Sequence, residues 1–292
     1  MGALLGLAGA VCWGLADFAA RYASRAVGAY RTLLYMQLFG CAALTVYLFG
    51  DGGFHSGVES GWKPWAMAVA AGLLNMASSL ALYRSFEVGT MSIVAPVSSC
   101  YPALTAVLSF ESGERIGIAK TVGLAVTLLG VILAGTSFAR AGSPATGSDG
   151  IKITAAKGLV WALLAAAGYG FLFWFLGFYV IPAIGSTVSV WAMRTTAIVG
   201  LFLLAPPMRQ SIRVPHGAVW WLLAAVGVMD TAAFVTNNTG LQIGPVSVVS
   251  VLASLYGAVT VLLSWIFLRE KLEWSQWLCL AVLFGGIILV SL

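Results

Sequence analysis

Ten stretches of this chain are each close to twenty residues long and almost free of charge. They run Ala3–Ala20, Thr32–Phe49, Pro64–Tyr83, Met91–Phe110, Ile118–Phe138, Leu159–Val180, Val188–Ala205, Ala218–Asn238, Val246–Leu268 and Trp274–Leu292. A helix needs about 20 apolar residues to cross the hydrocarbon of a bilayer. Of 292 residues, 60% are hydrophobic and 9% charged, whereas a soluble domain carries about a quarter of its residues as charges. A water-soluble globule cannot bury that much apolar surface, so the solvent of this chain is lipid. The expected fold class is all-α integral membrane. Met1 to Ala20 lacks a basic leader and is followed by further spans, so it reads as the first membrane helix and not as a cleaved signal.

The two groups of five spans repeat each other. Gly89-Thr-Met-Ser92-Ile-Val94 matches Gly244-Pro-Val-Ser247-Val-Val249, about 155 residues later. At that offset Ser99 meets Ser254, Tyr101 meets Tyr256, Thr105 meets Thr260 and Ser109 meets Ser264. Trp13-Gly14 falls on Tyr169-Gly170 when the offset becomes about 156. The longest polar interruption, residues 139–157, is rich in Gly and Ser and reads as a flexible linker. It separates a first five-helix repeat, 1–138, from a second, 158–292. Five is odd, so two like copies cannot start on the same face. The expectation is ten transmembrane helices as two inverted repeats around a central cavity, with the fifth and tenth at the periphery.

The formal net charge of +5 forms no basic face or aromatic-interleaved basic cluster, which argues against nucleic acid as a partner. The basic residues instead sort by loop. Arg21, Arg25, Arg31, Arg84, Arg140, Lys152, Lys157, Arg209, Arg213, Arg269 and Lys271 fall on one face. Only Lys63, Arg115 and Lys120 fall on the other. Basic loops stay cytoplasmic, so a multi-pass protein of the plasma (bacterial inner) membrane with both termini outside the cytoplasm is expected. The four cysteines lie in apolar runs without CxxC or histidine partners, so they read as buried thiols. His55 and His216 are loop residues without ligand partners, and no metal or cofactor is expected. No HExxH, paired-aspartate or Walker pattern is present, so an enzyme is not expected.

Two passages are more specific. Glu87-Val-Gly-Thr-Met-Ser-Ile-Val-Ala-Pro96 leads, after a helix, to Glu114-Arg-Ile and then to Gly130-Val-Ile-Leu. The second copy runs Gly244-Pro-Val-Ser-Val-Val, then Arg269-Glu270-Lys-Leu, and ends Gly285-Gly286-Ile-Ile-Leu. Together with Trp13-Gly14, this pattern resembles the EamA-like branch of the drug/metabolite transporter superfamily, over essentially the whole chain. The resemblance implies a secondary transporter of small organic metabolites, often an exporter of amino acids. The family often has an arginine in the second helix of each repeat. Here Arg194 stands in the second copy, and Gln37 takes the approximate place in the first.

Polar residues at membrane depth mark the candidate site, because a charge at mid-helix costs about 2.5–3.5 kcal/mol on the insertion scale. Arg194 and Asp230 lie at similar depth on antiparallel spans, and so either meet as a pair or line one cavity. Arg194 is suited to a substrate carboxylate, and Asp230 to an ammonium group or a coupling proton. Asn75 corresponds to Asp230 in the first copy. Trp13, Tyr101, Tyr169 and Tyr256 offer aromatic walls beside Ser99 and Ser254, and Asn237 lies where cavity lining competes with helix capping. Gln37 completes the expected substrate-binding set. Asp17 and Arg21, four apart near a helix end, read as a local ion pair. The expected partners are a small-molecule substrate and the lipid bilayer.

Overall fold

The computed structural model describes residues 1–51, 61–89, 91–141 and 149–268, with scattered positions between 274 and 289. Among these residues the chain is helical and has no strand. The helices are α1 (Gly2–Val27), α2 (Ala29–Asp51), α3 (Trp62–Val88), α4 (Met91–Ser98), α5 (Pro102–Glu111) and α6 (Ile118–Ala141). They are followed by α7 (Asp149–Phe175), α8 (Ile181–Ile184), α9 (Ser186–Leu204), α10 (Val219–Ile243), α11 (Val246–Ala253) and α12 (Tyr256–Leu268). In lipid every backbone group must find its partner within the chain, and a continuous helix achieves this locally. Among the described residues seven segments are long and apolar enough to cross a membrane: Gly2–Val27, Ala29–Gly50, Trp62–Val88, Gly158–Ile184, Ser186–Leu204, Val219–Ile243 and Val246–Phe267. The span expected at Trp274–Leu292 lies mostly outside the described residues. The linker expected over 139–157 is helical at both ends, up to Ala141 and from Asp149.

Glycine punctuates the helices where the chain must reverse. Gly28, between α1 and α2, and Gly185, between α8 and α9, sit at φ 87° and 82°, a conformation costly for any residue with a Cβ. The span expected as one helix over Met91–Phe110 is broken at Ser99–Tyr101. Pro102 has no N–H to continue the ladder, and the chain restarts there as α5. Val246–Leu268 breaks at the matching place, Ser254–Leu255, without any proline. There the Ser254 hydroxyl donates to Val251 O at 2.7 Å, and Leu255 N reaches only back to Leu252 O. Leu176–Val180 is one wide turn ahead of Pro182, which likewise lacks a donor.

Contacts between the halves come in reciprocal pairs. α1 packs on α10, and α3 on α7; α2 packs on α10, and α3 on α9; α1 packs on α12, and α5 on α7. Thr105 Oγ1 donates to Gly170 O at 2.8 Å, while its counterpart Thr260 Oγ1 donates to Gly14 O at 3.3 Å. A Cβ on Gly14 would stand 2.5 Å from Val259 and 3.2 Å from Tyr256 O. One on Gly170 would stand 2.8 Å from Leu104 and 2.7 Å from Tyr101 O, the residues one repeat earlier. Small residues at these crossings let the helix backbones touch. At one end of the bundle, Arg31 donates to Arg213 O. Glu114 accepts from Val246 N and Ser247 N, closing the start of α11.

Candidate functional site

Between these helices lies a narrow, partly open cavity. Trp13 and Asp17 of α1 face it, with Ser79, Leu82 and Tyr83 of α3 and Tyr101 from the first helix break. Tyr169 and Phe173 of α7, Asp230 and Phe234 of α10, and Tyr256 of α12 complete the lining. The rings form one connected cluster. Trp13 meets Phe234 edge-on at 5.0 Å and Phe173 at 5.6 Å, and Tyr101 lies 5.0 Å from Phe173. Tyr101 and Tyr256 stack at 6.4 Å with a 13° tilt.

The phenols of Tyr101 and Tyr256 are each bonded to the opposite half. Tyr101 OH donates to Ser250 O at 3.0 Å, and Tyr256 OH bonds Ser98 Oγ at 3.0 Å. Each tyrosine thus ties its own break to a helix of the other half, Tyr101 to α11 and Tyr256 to the end of α4. Tyr169 OH and Ser79 Oγ are 2.8 Å apart. What these residues offer the cavity is mainly ring surface.

Arg194 and Asp230 form a buried ion pair at 2.7 Å, with Arg194 only 2% exposed. The other Asp230 oxygen accepts from Trp13 Nε1 at 3.0 Å. Arg194 also donates to Gln37 Oε1 at 2.6 Å and touches Met36 Sδ at 3.9 Å. Its Cζ lies 5.8 Å from the Phe234 ring centroid. Asp230 is therefore on the wall, while Arg194 and Gln37 stand behind it. This network fixes the Trp13 indole, and it commits the deep cation to a protein carboxylate.

Of the residues expected from sequence, Trp13, Tyr101, Tyr169, Asp230 and Tyr256 line the cavity together. Asn75, Ser99, Ser254 and Asn237 are buried but are not among its lining residues. Asn237 has no exposed surface and both its amide atoms are unpartnered, so it does not serve as a solvated cap. Asp17 departs from expectation. No ion pair joins it to Arg21; it is 4% exposed, faces the cavity, and has no hydrogen bond among the described residues. The expected pair of Arg84 with Glu87 does form, at 2.7 Å.

Sequence reasoning missed Asp17, Ser79, Leu82, Tyr83, Phe173 and Phe234 as lining residues. A signal was present for most of them. Asp17 is four residues after Trp13, Phe173 four after Tyr169, Phe234 four after Asp230, and Ser79 and Tyr83 four and eight after Asn75. Residues four apart share a helix face, so each lies one turn, or for Tyr83 two turns, from a residue already singled out. Among the described residues no group of His, Cys, Asp and Glu could hold a metal ion.

A model of the EamA-like transporter family matches residues 1–136 and again 156–292, one copy in each half. A solved structure described only as "Crystal structure of protein" superposes with a TM-score of 0.77 at 19% identity, covering 99% of this chain and 96% of that one. No curated protein matches.

Proposed function

The chain belongs to the EamA-like transporter family and is thus a membrane transporter of the drug/metabolite type; we propose that it is a secondary transporter moving small organic metabolites by alternating access. The observation that carries this reading is the position of the aromatic cavity between reciprocal contacts. The bond from Thr105 to Gly170 and that from Thr260 to Gly14 exchange under the duplication, as do the close approaches at Gly14 and Gly170. Such an exchange is what a pseudo-two-fold axis produces. With five spans in each half that axis lies in the membrane plane, giving ten helices in two inverted repeats. Parting one set of contacts while keeping its counterpart would open the cavity to one side at a time.

Export at the plasma membrane, with both termini outside the cytoplasm, is the direction and placement that the resemblance and the basic loops favour. For amino acids, the carboxylate would have to compete with Asp230 for Arg194, because that cation is already engaged. Coupling a proton at Asp230 would likewise require release from Arg194 and Trp13.

Purified protein in proteoliposomes, challenged with a broad panel of labelled metabolites, tests the proposal. Saturable uptake accelerated by unlabelled solute on the opposite side is expected for at least one compound. Flux that never saturates and shows no such acceleration would mean a channel. No flux across the whole panel would remove the transporter reading of this cavity.

A further inference from the structure

We infer that Asp17 binds the ammonium group of the solute, and that the solutes are monoamines with an aromatic or apolar body. This rests on the transporter reading above. Most other polar groups of the cavity are already used. Asp230 holds Arg194 and Trp13, Tyr101 and Tyr256 bond the opposite breaks, and Tyr169 bonds Ser79. Two remain without a hydrogen-bond partner among the described residues, the Asp17 carboxyl and the Tyr83 hydroxyl, and both face the cavity. An ionised carboxylate buried without a partner is expensive, by several kcal/mol. Such a cost is removed either by a proton on the carboxyl or by a cationic ligand, and the place of Asp17 on the cavity wall leaves it open to the second. Among the described residues no Lys, Arg or His lines the cavity to do so.

The duplication adds an independent observation. At the offset of about 156 that matches Trp13 with Tyr169, Asp17 falls on Phe173; at 155, Ser79 falls on Phe234. All four line the cavity, so at these two pairs the first half supplies a carboxyl and a hydroxyl where the second supplies two phenyl rings. A solute with one ammonium and one apolar end fits across it. The ring faces of Trp13, Tyr101, Phe173 and Tyr256 add cation–π attraction at the charged end and stacking along the body. A carboxylate on the solute would meet Asp17 and Asp230, with no cation among the described lining residues to receive it and Arg194 already paired.

The test uses the full chain in lipid nanodiscs and proteoliposomes with four compounds of one skeleton: 2-phenylethylamine, its N-acetyl derivative, phenylalanine and 3-phenylpropionate. Quenching of tryptophan fluorescence reads binding, and exchange reads transport. The amine is expected to bind at least about tenfold more tightly than the other three. Asp17→Asn should lose that preference, Asp17→Glu should retain most of it, and Asp17→Asn should melt no lower than the parent because an unpaired charge has gone. Equal binding of the N-acetyl compound or the acid, or unchanged amine binding in Asp17→Asn, overturns the inference. So does an Asp17→Asn protein that keeps amine binding and loses only its response to a pH gradient, since Asp17 would then be a proton site. If the metabolite panel finds saturable exchange of solutes lacking an amine, and Asp17→Asn leaves it intact, the transporter reading stands and this inference falls alone.

Discussion

Removing one member of the Arg194–Asp230 pair leaves the other as a buried charge without its partner. Arg194 is 2% exposed, and its guanidinium holds Asp230 at 2.7 Å and Gln37 at 2.6 Å. In Arg194→Gln, Asp230 keeps only the Trp13 indole, a single neutral donor. In Asp230→Asn, the shape survives and the amide oxygen can still accept, but Arg194 loses its counter-charge. Breaking a buried pair by removing one partner costs about 3–5 kcal/mol, while replacing both charges is close to neutral. Each single variant should therefore lose about 3–5 kcal/mol, with Asp230→Asn at the lower end. The double variant, Arg194→Gln with Asp230→Asn, should recover most of the loss.

At about 2–4 °C per kcal/mol for chains of this order, the single variants should melt roughly 6–20 °C below the parent. Thermal unfolding followed by fluorescence-detected size exclusion in one detergent measures all four proteins side by side. Coupling is the sensitive quantity: contacting residues show interaction energies of about 0.5–3 kcal/mol in such cycles, and independent ones add. Single variants within about 1 kcal/mol of the parent, or a double variant equal to the sum of the two, would refute the reasoning that this pair locks α9 to α10.

Three further outcomes follow from the packing and the loops. Gly14→Ala and Gly170→Ala place a Cβ 2.5 Å from Val259 and 2.7 Å from Tyr101 O, so each should cost about 1–3 kcal/mol by overpacking, read as a lowered melting temperature of similar size in both. Glu114→Gln should weaken the closure at the start of α11 by about 0.5–2 kcal/mol, and raise the rate at which a cysteine placed near Val246 reacts with a water-soluble thiol reagent. A reporter active only in the cytoplasm should stay silent when fused after Leu292; strong signal would reverse the orientation drawn from the basic loops.

The helices and their repetition were plain in the sequence because apolar runs of membrane length and paired motifs survive without any knowledge of packing. The helix breaks were legible only in part. Pro102 announces the first, but the second has Gly257 at the equivalent place and is made by local serine bonding at Ser254. Half of the site was legible as well, through matched aromatic and charged positions. The rest was hidden because a membrane helix is apolar towards lipid and towards its neighbours alike, so hydropathy does not say which face turns inward. Asp17 shows the consequence. Its spacing suits both Arg21, four residues on, and the face of Trp13, four residues back, and only tertiary packing selects the second.

The two halves have diverged in a selective way, and this bears on the mechanism proposed. Positions that hold the halves together are preserved in kind: Gly14 with Gly170, Thr105 with Thr260, and Tyr101 with Tyr256. Other positions facing or backing the cavity differ: Asp17 with Phe173, Ser79 with Phe234, Gln37 with Arg194, and Asn75 with Asp230. Matched contacts suit two gates that must open alternately, whereas a solute with one charged end needs unlike walls. Moving the carboxylate across the axis separates these requirements. Asp17→Phe alone should abolish amine binding, and Asp17→Phe with Phe173→Asp should restore it in part, because the second site also faces the aromatic cluster. Binding of 2-phenylethylamine by both variants, each shown monodisperse in detergent, is the measurement. A folded double variant that binds nothing would mean that Asp17 acts through its own neighbours on α1 and α3 and not as a movable counter-charge.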